Sequence, residues 1–171
     1  MNIVISSGHG KLVRGATGYL DEVDEARRVV EQVAAYLRDQ GAHVQTFHDD
    51  TSTTQDENLA TIVAYHNAHV RELDVSVHFN AYATTPEPMG TECLYVTQDA
   101  LAEDVAEAIA SVGFIDRGAK YRDGLYFLNN TEEPAILIEV CFVDSQADAD
   151  LYREQFDAVC RAIAKPLAAF E

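Results

Sequence analysis

Long hydrophobic runs are missing from this 171-residue chain, and no apolar stretch approaches the ~20 residues that a membrane-spanning helix needs. The opening residues, Met1-Asn2-Ile3, lack the basic flank and long apolar segment of a secretory signal, so synthesis in the cytoplasm without a signal peptide is expected. Positive charge is scarce: 12 lysines and arginines stand against 29 acidic residues, a formal net charge of −17. So acidic a chain argues against nucleic-acid binding, which calls for a basic surface, and against electrostatic docking on an anionic membrane or wall polymer. Cysteine is also rare. Cys93, Cys141 and Cys160 are an odd set without paired spacing, which is no disulfide framework, and no C-x-x-C pair suggests structural zinc. Internal repeats, low-complexity tracts and linkers are absent. What remains is an ordinary globular composition, 47% hydrophobic and 24% charged, at a length that suits one domain with a proper core.

Strand-like and helix-like patterns alternate along it. Ile3-Val4-Ile5 reads as a strand that runs through Ser6-Ser7-Gly8 into a glycine-rich loop. Ala26, Val29, Val30, Val33 and Leu37 keep helical spacing over 23–40, with Gly41 as the stop. A short strand at 44–47 follows. Thr54 and Glu57 form a capping-box pattern opening a helix with Leu59, Ile62, Val63 and His66 on one face, ending near residue 72. Further on, the pattern predicts a strand ending at His78, a strand over 91–96, a helix over 100–112, a loop over 114–123 and a short strand over 125–128. A strand carrying Glu139 comes next, then one final helix over 151–170 with Phe156, Val159, Cys160, Ile163 and Leu167 inward. The alternation predicts a single α/β domain, a largely parallel (mixed) central sheet of about six strands flanked by helices on both faces.

Three strand ends carry chemistry. His9 follows the first strand, Val75-Ser76-Val77 delivers His78, and Ala135-Ile136-Leu137-Ile138 delivers Glu139. Ligands of open α/β sheets bind outside the carboxyl ends of the strands, so the three could converge. Two imidazoles and a carboxylate are the parts of a catalytic zinc centre, which has three protein ligands and an open position. A second carboxylate could then move the proton. Glu139 interrupts an apolar run, where an acid is usually paired, metal-bound or neutralised. The third ligand has four candidates at the entry to the first helix, Asp21, Glu22, Asp24 and Glu25. Acids there also complement the helix dipole, and spacing does not choose among them. His66 and His69 have no carboxylate clearly alongside and, like His43 and His48, read as structural. Cys160 reads as core. Cys141 shares a face with Glu139 if the strand continues that far, and would either line the site or fill space.

Ser7-Gly8-His9-Gly10, Glu22 ahead of a helix ending in Gly41, Val75-Ser76-Val77-His78-Phe79-Asn80-Ala81, and the run from Ala135 through Glu139 to Phe142-Val143-Asp144 resemble one family, in order and across essentially the whole chain. It is the zinc-dependent N-acetylmuramoyl-L-alanine amidases, peptidoglycan hydrolases found as bacterial autolysins and bacteriophage endolysins. Gly90-Thr91-Glu92 and Arg117-Gly118-Ala119-Lys120 are similar to its intervening segments. The Ser6-Ser7-Gly8-His9 loop, the helix start from Asp21 to Arg27 and Thr51-Ser52-Thr53-Thr54 look closest to the phage endolysin branch.

The resemblance implies one Zn2+ per chain on His9, Glu22 and His78, with Glu139 as the catalytic base. A gap-free count back from Gly41 favours Glu22 over Glu25, one helical turn away. Many members carry Asp-Pro before Gly-His-Gly; Ser6-Ser7 here changes the loop but not a ligand. The implied reaction is hydrolysis of the amide between N-acetylmuramic acid and L-alanine, with Asn80 and Arg117 as candidate substrate-binding residues. Residues 1–171 would then be a zinc amidase catalytic domain acting on bacterial peptidoglycan as a monomer. Any wall-binding domain would lie outside this chain, and a phage enzyme would reach the wall after holin-mediated release. Competing readings are a zinc peptidase or carboxypeptidase acting on wall peptides, a cysteine hydrolase using Cys141, and a non-catalytic wall-binding module, for which an intact Glu139 would have no use.

Overall fold

The computed structural model describes residues 1–170. In chain order the elements are β1 (Asn2–Ser7), α1 (Glu22–Asp39), β2 (His43–Phe47), α2 (Gln55–Asn67), β3 (Leu73–Asn80), β4 (Thr91–Tyr95), α3 (Asp99–Ala110), β5 (Asp116–Tyr121), α4 (Tyr126–Asn130), β6 (Ala135–Phe142), α5 (Gln146–Glu154) and α6 (Phe156–Ala168). The strands form one sheet in the order β2-β1-β3-β6-β4-β5. Every neighbouring pair is parallel except β4 with β6. This is the single α/β domain with a mixed sheet that the alternating pattern predicts.

Two apolar layers hold the sheet. Ile3, Ile5, Val75, Val77, Ile136 and Ile138 pack on one face against α1, α3 and α6. Leu94, Ala135 and Leu137 pack on the other against Ile62 and Val63 of α2 and Phe127 and Leu128 of α4. Central strands covered on both faces must be apolar on both, which is why β1, β3 and β6 read as near-continuous apolar runs. The exceptions are polar side chains on the α2/α4 face. Asp74, Ser76 and His78 alternate along β3, so all three point the same way. Asp74 is fully buried, bonded to Arg71 at 2.8 and 3.0 Å and to His66 Nδ1 at 2.8 Å, while His66 Nε2 lies 2.9 Å from Ser6 Oγ. The connectivity is that of a Ser-His-Asp triad, but Ser6, His66 and Asp74 are all 0% exposed. No substrate reaches that hydroxyl, and the unit ties α2 to the sheet.

The structure departs from the sequence pattern in four places. Residues 116–121, expected as loop, form the edge strand β5, whose Asp-Arg-Gly-Ala-Lys-Tyr sequence has no apolar alternation because it pairs on one side only. The apolar run at 125–128, expected as a strand, opens the short helix α4; a four-residue apolar run does not distinguish the two by periodicity. The helix expected to end near residue 72 stops at Asn67, before β3 begins at Leu73. The final helix is two, separated at Gln155 by a backbone at φ −109° and ψ 24°. The earlier of them starts at Gln146, where Ser145 caps Asp148 N–H.

Candidate metal centre and catalytic cleft

β1 ends at Ser7, and Gly8 N–H donates to Val77 O of β3 at 2.9 Å, which folds the following loop over the end of the sheet and places His9 beside His78. Their rings lie 5.1 Å apart, nearly perpendicular. Glycine is required where this loop passes closest. A Cβ on Gly8 would stand 2.0 Å from the His78 ring, and one on Gly15 would stand 2.1 Å from Glu22 Oε2 and 2.5 Å from the His9 ring.

Glu22 is the first residue of α1, buried at 4% exposure. Its Oε2 accepts from Ala16 N–H at 2.7 Å, and its Oε1 accepts from Phe79 N–H at 3.1 Å. These two backbone bonds turn Oε1 toward His78 Nδ1 at 3.2 Å and His9 Nε2 at 3.4 Å. Burial works to raise the Glu22 carboxyl, but the hydrogen bonds of His78 and then His9 outweigh it and hold it well below the usual carboxylate range. Burial in turn pulls His78 below the ordinary histidine value, against the hydrogen bond to Glu22. The other acids at the helix entry are engaged elsewhere. Asp21 caps the helix through Val23 and Asp24 N–H, Asp24 pairs with Arg14 at 2.7 Å, and Glu25 accepts from Tyr152 Oη and Arg28 at 2.8 Å each. Only Glu22 of the four reaches the histidines.

One ligand atom from each of His9, Glu22 and His78 lies within 4.8 Å of the other two, and these three are the single such group of His, Cys, Asp or Glu among the described residues. Two neutral-capable imidazoles and one ionised carboxylate make a donor set suited to a divalent metal ion such as zinc. The remaining histidines are outside this group. His48 bridges Ser7 Oγ at 2.8 Å and Glu31 at 3.0 Å, His69 Nδ1 meets Tyr65 O, and His43 is exposed on β2.

Glu139 stands opposite His78 in the β3–β6 register and lines the same cleft, a cavity of about 350 Å³ with His9 and His78 at one end. The floor is Leu94 and Leu137; Leu59 and Ile62 of α2 form one wall, Tyr126 and Phe127 of α4 another. Glu139 Oε2 is buried without a hydrogen-bond partner. Burial first, and then the charges of Glu22 and Glu92, push its carboxyl well above the usual range. A carboxyl so placed has a raised affinity for a proton, and its residue lines the cleft.

Beyond Glu139, β6 is bulged: His78 pairs with Glu139 but Asn80 pairs with Phe142, so Phe79 alone opposes Val140 and Cys141. The extra residue brings Phe142 onto the Glu139 face and sends Cys141 into the larger core, fully buried. Cys141 therefore does not line the cleft, and burial pushes its thiol well up, which removes the cysteine-nucleophile reading. Asn80 and Arg117 do not touch the histidines. Both bind Glu92, Asn80 Nδ2 to one oxygen at 3.1 Å and Arg117 Nε to the other at 2.8 Å. Glu92 is a further residue of this region that strand-end spacing does not single out, although an acid inside the otherwise buried strand Thr91–Tyr95 is the same signal that singles out Glu139.

A family model described as N-acetylmuramoyl-L-alanine amidase matches residues 3–169. An "Uncharacterized 38.4 kDa protein" of Clostridium perfringens is 34% identical over 162 residues, 91% of this chain and 47% of its own length. The germination-specific N-acetylmuramoyl-L-alanine amidase of Bacillus subtilis is 32% identical over 166 residues, 87% of this chain and 70% of its own length. Among solved structures, the catalytic domain of the CD27L endolysin targeting Clostridia difficile superposes with a TM-score of 0.91 at 25% identity, covering 99% of this chain and 97% of that one. The chain spans about half the length of the first two curated relatives it matches. By the match across almost all of its residues, and on the same fold, this chain belongs to the N-acetylmuramoyl-L-alanine amidase family.

Proposed function

We propose that residues 1–171 are a catalytic domain that hydrolyses the amide between the lactyl group of N-acetylmuramic acid and L-alanine in bacterial peptidoglycan, with one zinc ion per chain. The observation that carries this reading is the juxtaposition of the His9–Glu22–His78 group with the Glu139 carboxyl, which lines the same cleft as both histidines. The donor set fits zinc, and the glycines at 8 and 15 leave the room that a tight cluster needs.

Zinc, when bound, supplies a lowered pKa for water and polarisation of the scissile carbonyl. His9, Glu22 and His78 would hold it. The backbone bonds from Ala16 and Phe79 fix the Glu22 carboxylate so that it does not have to reorganise on binding. Glu139 takes a proton from the attacking water on its carboxylate, keeps it because burial favours the neutral acid, and delivers it to the departing L-alanine nitrogen. Leu94 and Leu137 of the floor and Phe127 of the α4 wall give the cleft an apolar lining around that proton.

The loop and helix-entry resemblance supports an endolysin, acting as a monomer after release to the wall, with any wall-binding domain outside this chain. Mass spectrometry of the products from purified peptidoglycan tests the bond. Intact stem peptides with a free L-alanine amino terminus support the reading, and cleavage between two amino acids would replace it with a zinc peptidase.

A further inference from the structure

Glu92 faces Glu139 across the β4–β6 pair and also lines a second hollow, of about 320 Å³, with Asn80, Tyr82, Met89, Arg117 and Phe142. Arg117 enters it from the edge strand β5. Its Nε donates to Glu92 Oε2, and its guanidinium carbon lies 5.0 Å from the centre of the Phe142 ring, the residue that the β6 bulge turned onto this face. Asn80 occupies the other oxygen of Glu92. The guanidinium is thus anchored by one edge and one face. Neither of its terminal Nη groups has a protein partner among the described residues, and the side chain is 36% exposed. An arginine fixed in that way presents two parallel N–H donors, the geometry that takes a carboxylate bidentately. On a chain of net charge −17, a cation held open beside the cleft is a local binding element.

Resting on the amidase reading of the neighbouring cleft, we infer that this hollow binds a carboxylate of the stem peptide and so sets which end of the substrate lies over β5. The chemistry of the substrate decides between its two ends. The lactyl carboxyl of N-acetylmuramic acid is consumed in the scissile amide, which leaves the sugar side uncharged there. The carboxylates nearest the bond are all on the peptide, beginning with the α-carboxyl of the residue after L-alanine. Asn80 and Glu92 are positioning residues, which hold the fork in place. Arg117 is the residue that touches substrate.

Three muramyl-peptide fragments with the same stem test this: one with all carboxyls free, one with the α-carboxyl of the second residue as carboxamide, and one with the terminal carboxyl as carboxamide. For the wild-type protein loaded with zinc, kcat/KM should fall about tenfold or more in one amidated arm, mainly through KM, the size expected for losing a charged hydrogen-bonded partner. The arm that falls identifies which carboxylate sits in the hollow. Arg117→Gln should cleave all three fragments at one rate, and Arg117→Lys should keep a reduced preference, because it retains the charge without the fork. Equal wild-type rates on all three, or a full preference surviving in Arg117→Gln, would overturn the inference. Failure of the wild type to release the stem from any fragment would overturn the amidase reading itself, and this inference with it.

Discussion

In the proposed mechanism Glu139 accepts a proton and keeps it, and burial together with the nearby charges of Glu22 and Glu92 favours the protonated carboxyl. Glu139→Gln keeps the size of the side chain but cannot take a proton. It should leave zinc content and thermal unfolding unchanged and lower the rate of stem release by about 10²- to 10⁴-fold, measured on purified peptidoglycan. A near-normal rate would make Glu139 a structural acid. This residue was readable in the sequence because an acid in an apolar strand is costly, and His9 and His78 were readable as strand-end groups. Glu22 was chosen among its acidic neighbours only through the family resemblance, because what orients it, the Ala16 and Phe79 N–H groups, comes from a loop and from another strand. Arg117 and Asn80 were singled out, but their shared partner Glu92 was not, since a pairing across β3, β4 and β5 leaves no trace in local spacing.

Helix α2 forms the wall of the cleft and carries His66, and it starts at a full capping box between Thr54 and Glu57. Thr54→Ala should cost about 1 kcal/mol in chemical denaturation while leaving the cleft intact, so kcat at low temperature should not change. A loss of activity without a loss of stability would mean that the cap acts on the site. The box was legible because both partners are local. The edge strand β5 and the helix α4 were not. β5 exists because β4 offers it a free edge, and α4 exists because Phe127 and Leu128 have the apolar face of β4 and β6 to cover. Both reasons are tertiary. The β6 bulge is of the same kind, and it is what separates Phe142 from Cys141.

Across the whole molecule, the carboxyl ends of β1, β3 and β6 meet between α1 and α2, and the stability of that arrangement depends on keeping His66 neutral. Burial holds His66 below its ordinary value near 6.5, even though Asp74 works in the opposite direction and Arg71 assists. The unfolded chain therefore takes up a proton that the fold refuses. The contribution is full above the ordinary histidine range and is lost as pH falls through it, by about 1.4 kcal/mol per pH unit until the lowered value is reached. Urea unfolding at stepped pH should show this slope in the wild type and a shallower one in His66→Gln. Identical slopes would remove His66 from the explanation. The broad architecture was legible because alternation of strands and helices is a property of the whole chain. The fully buried Ser6–His66–Asp74 unit showed only as an inward-facing histidine.

The claim on which the rest depends is that His9, Glu22 and His78 hold one zinc ion. Zinc retained per chain after challenge with a competing chelator measures it directly, comparing wild type, His78→Ala, Glu22→Ala and Glu25→Ala. The wild type and Glu25→Ala should each keep close to one zinc, because Glu25 is committed to Tyr152 and Arg28, while His78→Ala and Glu22→Ala should lose it. Zinc kept by His78→Ala, or kept by Glu22→Ala and lost by Glu25→Ala, would contradict the assignment.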